Sequence, residues 1–189
     1  MYLILIEVNK QKLSIDINIL KELLVMEMTN IRIMGIAHNS VVDGEGIRDV
    51  IFTAGCPHHC YGCHNFETWN INNGKEKSVD DILQDLNIRC HLTLSGGEPF
   101  MQAKQLTELI QEYKKIKKNP NIWIYSGYLF EDLIKNEVFM GLLKECDVLV
   151  DGKFEMDKKV RGLKFKGSTN QRIIDIQESL KRGEVVRKD

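Results

Sequence analysis

The stretch His91-Leu92-Thr93-Leu94-Ser95-Gly96-Gly97-Glu98-Pro99, with the run from Met101 to Lys117 behind it, decides the fold class. His91 to Ser95 reads as a strand, and the run that follows reads as a helix with Leu106, Leu109, Ile110 and Tyr113 on one face. Asn119-Pro120 ends that helix, and Ile122 to Tyr125 reads as the next strand. A strand, a helix and a further strand make a β/α crossover, which implies a mainly parallel sheet. The same alternation extends outward on both sides. Val50 to Thr53 reads as a strand, and Val79 to Leu86 as a helix opened by Ser78, with Asp80 and Asp81 at its positive end. Leu129 to Leu143 is helical in pattern, Asp147 to Val150 reads as a strand, and short segments follow near Leu163 to Phe165 and Arg172 to Ile176.

The chain has 189 residues, too few for a complete eight-fold β/α barrel of roughly 250 residues. An α/β fold built as an open partial (β/α) barrel, with its loops at the carboxyl end of the sheet, is the expected architecture. With 43% hydrophobic and 28% charged residues the chain can bury one sizeable core, which excludes wholesale disorder and fibrous repeats. Lys and Arg total 26 and Asp and Glu 27, so the formal charge is 26 − 27 = −1, which argues against a general nucleic-acid binder. Apolar runs fall short of the ~18 residues of a membrane span, and Met1 to Ile6 lacks the features of a secretory signal, so a cytoplasmic protein is expected.

The first 25 residues read differently from the rest. Met1 to Val8 has a strand pattern and Ile17 to Val25 that of a short amphipathic helix, yet Met26 and Met28 follow at once and the domain pattern begins at Ile31. Lys21-Glu22 can be encoded by AAGGAG, a ribosome-binding sequence, upstream of the Met26 codon. Residues 1–25 are therefore read as either a genuine extension or a product of an upstream start, and residues 26–189 as one domain.

Three of the five cysteines fall in Gly55-Cys56-Pro57-His58-His59-Cys60-Tyr61-Gly62-Cys63-His64-Asn65, directly after a strand. In a reducing compartment such clustering points to metal or redox chemistry rather than a disulfide framework. The spacing lets one loop wrap three thiolates around an inorganic centre. In a four-iron cluster that leaves one iron open to another ligand, whereas an electron carrier would close it with a fourth cysteine. A structural Cys3His zinc site completed by His58, His59 or His64 is the competing reading of this segment. Cys90 and Cys146 stand beside strands and read as small buried hydrophobes.

Gly96-Gly97-Glu98-Pro99 sits where a parallel strand leaves the sheet, a place where α/β folds bind ligands. Its glycines permit close approach of a ligand, and Glu98 can accept hydrogen bonds from an ammonium group. Ser95-x-x-Glu98 is equally a capping-box pattern with Pro99 near a helix start. Asp43 to Arg48 reads as a turn, and Tyr125-Ser126-Gly127-Tyr128 and Asp151-Gly152-Lys153 as strand ends beside the same rim. Lys114 to Lys118 reads as a solvated helix end; Lys158, Arg161, Lys164 and Lys166 form a basic stretch that is either a solvated face or a docking surface. Hydrolase triad patterns and the phosphate-cradling Gly-x4-Gly-Lys-Ser/Thr signature are missing from the sequence.

The cysteine spacing and its position after a strand resemble the radical S-adenosylmethionine superfamily. Asp43-Gly44-Glu45-Gly46-Ile47-Arg48, the Gly55-Cys56-Pro57 loop start, and Cys63-His64-Asn65 continuing to Thr68-Trp69 resemble its glycyl-radical-enzyme activases. The tail Gly167-Ser168-Thr169-Asn170-Gln171-Arg172-Ile173-Ile174-Asp175 is most similar to the family that activates anaerobic ribonucleoside-triphosphate reductase. The superfamily usually has an aromatic residue before its third cysteine. Gly62 stands there instead, as is familiar in the reductase activators. The resemblance spans roughly Ile31 to Ile176.

This resemblance implies a partial barrel of the radical S-adenosylmethionine type in which Cys56, Cys60 and Cys63 bind a [4Fe-4S] cluster and take part in catalysis. S-adenosylmethionine would lie against Gly62, Cys63 and His64, with Gly97 and Glu98 toward its amino group. It further implies reductive cleavage of that cofactor and generation of a glycyl radical on the reductase, with electrons from a one-electron donor such as flavodoxin. Arg48 would orient substrate or cofactor, and Tyr125 to Tyr128 would line the adenosine site. An activase of another glycyl-radical enzyme, such as pyruvate formate-lyase, and a noncatalytic Cys3His zinc module are the alternatives.

Overall fold

The computed structural model describes residues 30–189. The strand expected over Met1 to Val8, the helix over Ile17 to Val25 and the domain division after residue 25 lie outside the described residues. Seven strands form one sheet: β1 Asn30–Ser40, β2 Arg48–Thr53, β3 Lys75–Ser78, β4 His91–Gly96, β5 Ile122–Tyr125, β6 Val148–Asp151 and β7 Arg172–Asp175. Among the described residues five α-helices accompany them: α1 Val79–Asp85, α2 Ala103–Ile116, α3 Phe130–Leu133, α4 Glu137–Lys144 and α5 Ile176–Arg182.

The strand order is β3-β1-β2-β4-β5-β6-β7, so the sheet is open, with β3 and β7 at its edges. The β/α alternation correctly anticipates the centre: β2, β4, β5 and β6 are parallel. The flanks differ from expectation, because β1 runs antiparallel to both β2 and β3, and β7 antiparallel to β6. The physical reason is the connections. Residues 41–47 and 152–171 join their strands without an α-helical crossover, so each strand returns against its neighbour.

Side-chain alternation along the strands separates two faces. Leu92, Leu94, Ile122, Ile124, Leu149 and Ile174 join the main core, which α2 covers with Leu106, Leu109, Ile110 and Tyr113 as its apolar stripe requires. The opposite face carries a smaller cluster of Trp123, Val148, Val150 and Ile173, with Tyr125 and Phe165 against it. Cys90 and Cys146 are buried, as small hydrophobes are.

Local chemistry adjusts several boundaries. Ser78 caps α1 by accepting the Asp81 N–H at 3.1 Å. The helical pattern over Leu129 to Leu143 divides in two, because Asn136 turns its side chain back to accept the Val138 and Phe139 N–H groups and starts α4 there. Leu163 to Phe165 forms no strand. Glu98, rather than a Ser95–Glu98 capping box, caps the 3-10 turn Pro99–Gln102 that precedes α2. Because β2, β4, β5 and β6 are parallel, Thr53, Gly96, Tyr125 and Asp151 end on one side of the sheet, and the loops that follow them gather there.

Candidate functional site

The loop after β2 carries the three cysteines. Its ends are tied by backbone hydrogen bonds from Gly55 N–H to Thr68 O (2.7 Å) and from Cys56 N–H to Trp69 O (3.1 Å). Gly55 and Gly62 take positive φ angles of 91° and 75°, and His59 one of 47°, which lets the chain wrap tightly around its own centre. Cys56, Cys60 and Cys63 all line one cavity of about 330 Å³ at the carboxyl ends of the parallel strands. Burial raises the Cys56 thiol above its usual range, partly offset by the backbone N–H groups of His58 and His59.

Two glycines from the turn after β4, Gly96 and Gly97, line the same cavity, as do Ser126 and Gly127 from the turn after β5. The glycines have a reason beyond ligand approach. A Cβ on Gly96 would lie 2.5 Å from Thr53 N, and one on Gly97 would lie 2.2 Å from Gly55 O. Gly97 N–H donates to Thr53 O at 2.8 Å and Glu98 N–H to Gly55 O at 2.7 Å, so this turn is docked directly on the base of the cysteine loop.

Of the residues expected to touch the cofactor, Cys63, His64 and Gly97 line the cavity, while Gly62 and Glu98 do not. Gly62 faces the side chain of Met156, whose Sδ would be 2.8 Å from a Cβ there. Glu98 is fully buried, and its carboxylate accepts from groups of the chain itself.

Arg48 is a clear departure from expectation, since it serves the core rather than a ligand. It is fully buried and donates to Thr93 Oγ1, Glu45 O, Leu92 O and both the side chain and backbone oxygens of Asn121, at 2.6–3.0 Å. All its donor directions are used. Burial pushes the guanidinium down to about 10, so it remains charged near neutrality, and it lies 5.4 Å from the Trp123 ring centroid.

Other site residues lacked a local signal in the sequence. The connection from β6 to β7 reaches over the cysteine loop: Met156 meets Gly62, Lys159 Nζ lies 2.9 Å from His64 Nε2, and the Phe154 and His64 rings are 6.1 Å apart. Gln171 closes this connection at its base by accepting the Gly167 N–H at 2.7 Å and donating to Gly152 O at 2.9 Å. Asn170 donates to Lys153 O, and Ser168 Oγ accepts the Glu155 N–H. In the expected basic stretch, Lys158 pairs with Glu155 and Lys166 with Asp189, while Arg161 and Lys164 are exposed. Tyr125 does line the cavity, with its hydroxyl donating to Phe165 O at 2.9 Å.

The donor set suits an inorganic cluster held by three thiolates. Among the described residues, groups of three or more His, Cys, Asp or Glu side chains that could hold one metal ion are absent. Each histidine of the loop is engaged by the protein: His58 with Glu98, His59 with the Trp69 ring at 4.8 Å, and His64 with Lys159. Three thiols lining one cavity suit a group that presents a separate iron to each.

An α/β protein with a three-cysteine loop at the carboxyl end of its sheet is the class defined by these features, and comparison with known proteins agrees. The model of the 4Fe-4S single cluster domain matches residues 42–174. An anaerobic ribonucleoside-triphosphate reductase-activating protein from Pasteurella multocida is 38% identical over 143 residues, covering 70% of this chain and 90% of the relative. Its counterpart in Escherichia coli K12 is 36% identical over 140 residues, covering 69% and 90%, and that of Enterobacteria phage T4 is 34% identical over 142 residues, covering 70% and 86%. The chain belongs to this family of 4Fe-4S single-cluster activating proteins. Among the described residues, helices long and apolar enough to cross a membrane are absent.

Proposed function

We propose that this protein activates an anaerobic ribonucleoside-triphosphate reductase by reductive cleavage of S-adenosylmethionine, leaving a glycyl radical on the reductase. The observation that carries this reading is the convergence of Cys56, Cys60 and Cys63 with Gly96 and Gly97 on one cavity, in a chain whose relatives are named for that activation. On this reading the fold is an open partial (β/α) barrel of the radical S-adenosylmethionine type, and the protein works in the cytoplasm with a one-electron donor such as flavodoxin.

Cys56, Cys60 and Cys63 would hold a [4Fe-4S] cluster, leaving one iron without a cysteine. When bound, that cluster would supply the single electron for reductive cleavage of S-adenosylmethionine, and the cleaved cofactor would supply the means of taking a hydrogen atom from a reductase glycine. The chain's own part is positioning and shielding. The cysteine loop, docked on the turn after β4, sets the thiols at a fixed distance from the Gly96–Gly97 shelf. Cys63, His64, Gly97, Tyr125 and Phe154 line the same cavity and would wall the cofactor. On this reading a segment of the reductase would reach the site from the side where the sheet does not close.

Anaerobic reconstitution with iron and sulfide, followed by electron paramagnetic resonance of the reduced protein with and without S-adenosylmethionine, tests this reading. A cluster signal whose g-values move when the cofactor is added is the expected result, with radical formation on added reductase as the second readout. A well-formed cluster indifferent to the cofactor overturns it, and one bound zinc without acid-labile sulfide moves the Cys3His module to the front.

A further inference from the structure

Glu98 touches neither the cavity nor solvent, yet its carboxylate is the meeting point of three loops. Oε1 accepts the Phe100 N–H at 3.2 Å, and Oε2 accepts the Gly127 N–H at 2.8 Å. The Ser126 hydroxyl lies 3.0 Å from each oxygen. His58 Nε2 lies 2.8 Å from Oε2, and the His58 side chain is itself only 6% exposed. The donors therefore come from the turn after β4, the turn after β5 and the middle of the cysteine loop.

The surroundings leave His58 little choice of position. A Cβ on Gly127 would lie 2.3 Å from His58 Cδ2, so the ring is seated against bare backbone, and Tyr128 meets it edge-on at 4.5 Å. Ser126, besides serving Glu98, accepts the Tyr128 N–H at 3.0 Å, which fixes that turn in its own right. A carboxylate offers about four acceptor directions, and four donor groups of the chain already occupy them. An incoming ammonium would have to displace a buried donor and leave it unsatisfied.

We propose that Glu98 is a positioning residue: acting through His58, it braces the Cys56–Cys60 part of the loop against the Gly96–Gly97 shelf, and it does not contact the amino group of S-adenosylmethionine. The bracing is a property of the protein alone; the statement about the amino group rests on the S-adenosylmethionine reading. Two measurements on the full chain separate them.

The first is site-resolved alkylation of the metal-free protein by iodoacetamide under anaerobic, reducing conditions. Loss of one buried, charge-assisted hydrogen bond corresponds to about tenfold in an opening equilibrium. Glu98→Gln and His58→Ala are each expected to speed alkylation of Cys56 and Cys60 by about that factor. The double variant is expected to be no faster than either single one, and His58→Gln, which keeps an N–H donor, to return toward the original rate. Buried Cys90 and Cys146 report whether a variant is folded; if Glu98→Gln exposes them, the two His58 variants carry the test. Unchanged rates in the folded variants, or independent multiplying effects, overturn the brace.

The second is calorimetric affinity of the reconstituted protein for S-adenosylmethionine and for its deaminated analogue. Both ligands are expected to weaken by the same factor, to within about twofold, in Glu98→Gln and in His58→Ala. A loss of about tenfold or more in Glu98→Gln confined to the amino-bearing ligand overturns the positioning role in favour of direct contact. If the original protein binds neither ligand, the S-adenosylmethionine reading and the amino-group statement fail together, while the alkylation rates still decide the brace.

Discussion

Gly97 and Gly55 approach so closely that a Cβ on Gly97 would lie 2.2 Å from the Gly55 carbonyl oxygen. This contact joins the turn after β4 to the first residue of the cysteine loop, and the neighbouring Glu98 N–H donates to the same oxygen. The geometry of the candidate site is thus set by backbone meeting backbone, with glycine required on the approaching side.

Gly97→Ala is expected to force this turn off the loop. Backbone on both sides leaves no flexible side chain to yield, and overpacking of this kind costs about 1–3 kcal/mol. Urea denaturation should show the loss of stability, and iron incorporation should fall with it. A variant with both properties intact would show that the turn can shift without disturbing the thiols.

Cys60→Ala should act differently. Cys60 is only partly buried and has no core role, so the apoprotein is expected to melt within about 2 °C of the original. Iron and acid-labile sulfide after reconstitution should drop to background, and cleavage of S-adenosylmethionine should stop. Full cleavage by this variant would remove Cys60 from the cluster ligands.

Replacing Arg48 tests the reassignment of that residue to the core. Arg48→Ala removes the donor to the buried Thr93 hydroxyl and to the Leu92 carbonyl and leaves a large void where the fully buried side chain stood, so a loss of about 3 kcal/mol or more is expected in chemical denaturation. Cofactor affinity of the surviving folded fraction should be unchanged. A stable variant with weakened cofactor binding would restore the ligand-facing role.

Asp151, Arg172 and Glu131 form a chain of charge from buried to exposed. Arg172 Nε donates to Asp151 Oδ1 at 2.9 Å and its terminal nitrogens to the Glu131 oxygens at 2.8 and 3.0 Å. Asp151 is fully buried, so Arg172→Ala strands its carboxyl group and is expected to cost about 3–5 kcal/mol.

Hydrogen bonds from Arg172 hold the Glu131 carboxyl below its usual range against the opposing effect of burial. The stabilisation is therefore present above the unfolded value of about 4.3 and lost as pH falls through the lower folded value. Because the pair is largely solvated, Glu131→Gln should cost no more than about 1 kcal/mol at pH ~7, and the difference should shrink toward zero near pH ~3. An equal difference at both pH values would contradict the linkage.

Gln171→Ala should release the β6–β7 connection at its base, since both its amide groups hold backbone of that connection. Limited trypsin digestion is expected to cut at Lys158 to Lys166 several times faster than in the original, with the sheet intact by circular dichroism. Unchanged digestion would place the closure elsewhere, in Ser168 or Asn170.

The sequence by itself determined the parallel centre of the sheet and the gathering of three thiols in one loop. Apolar periodicity and capping residues such as Ser78 act over a few positions, and three thiols within eight residues are bound to share a neighbourhood wherever the chain goes. Tertiary structure alone decided what Arg48, Glu98 and Gln171 do. Arg48 and Glu98 looked like a turn residue or a ligand contact in their local setting and Gln171 like one polar residue of the tail, and each is committed to partners far along the chain: Asn121 for Arg48, His58 and Gly127 for Glu98, Gly152 for Gln171. A buried polar group must find its hydrogen bonds where the fold brings donors and acceptors together, and strand order, which pairs β2 with β4 and β6 with β7, is what brings them.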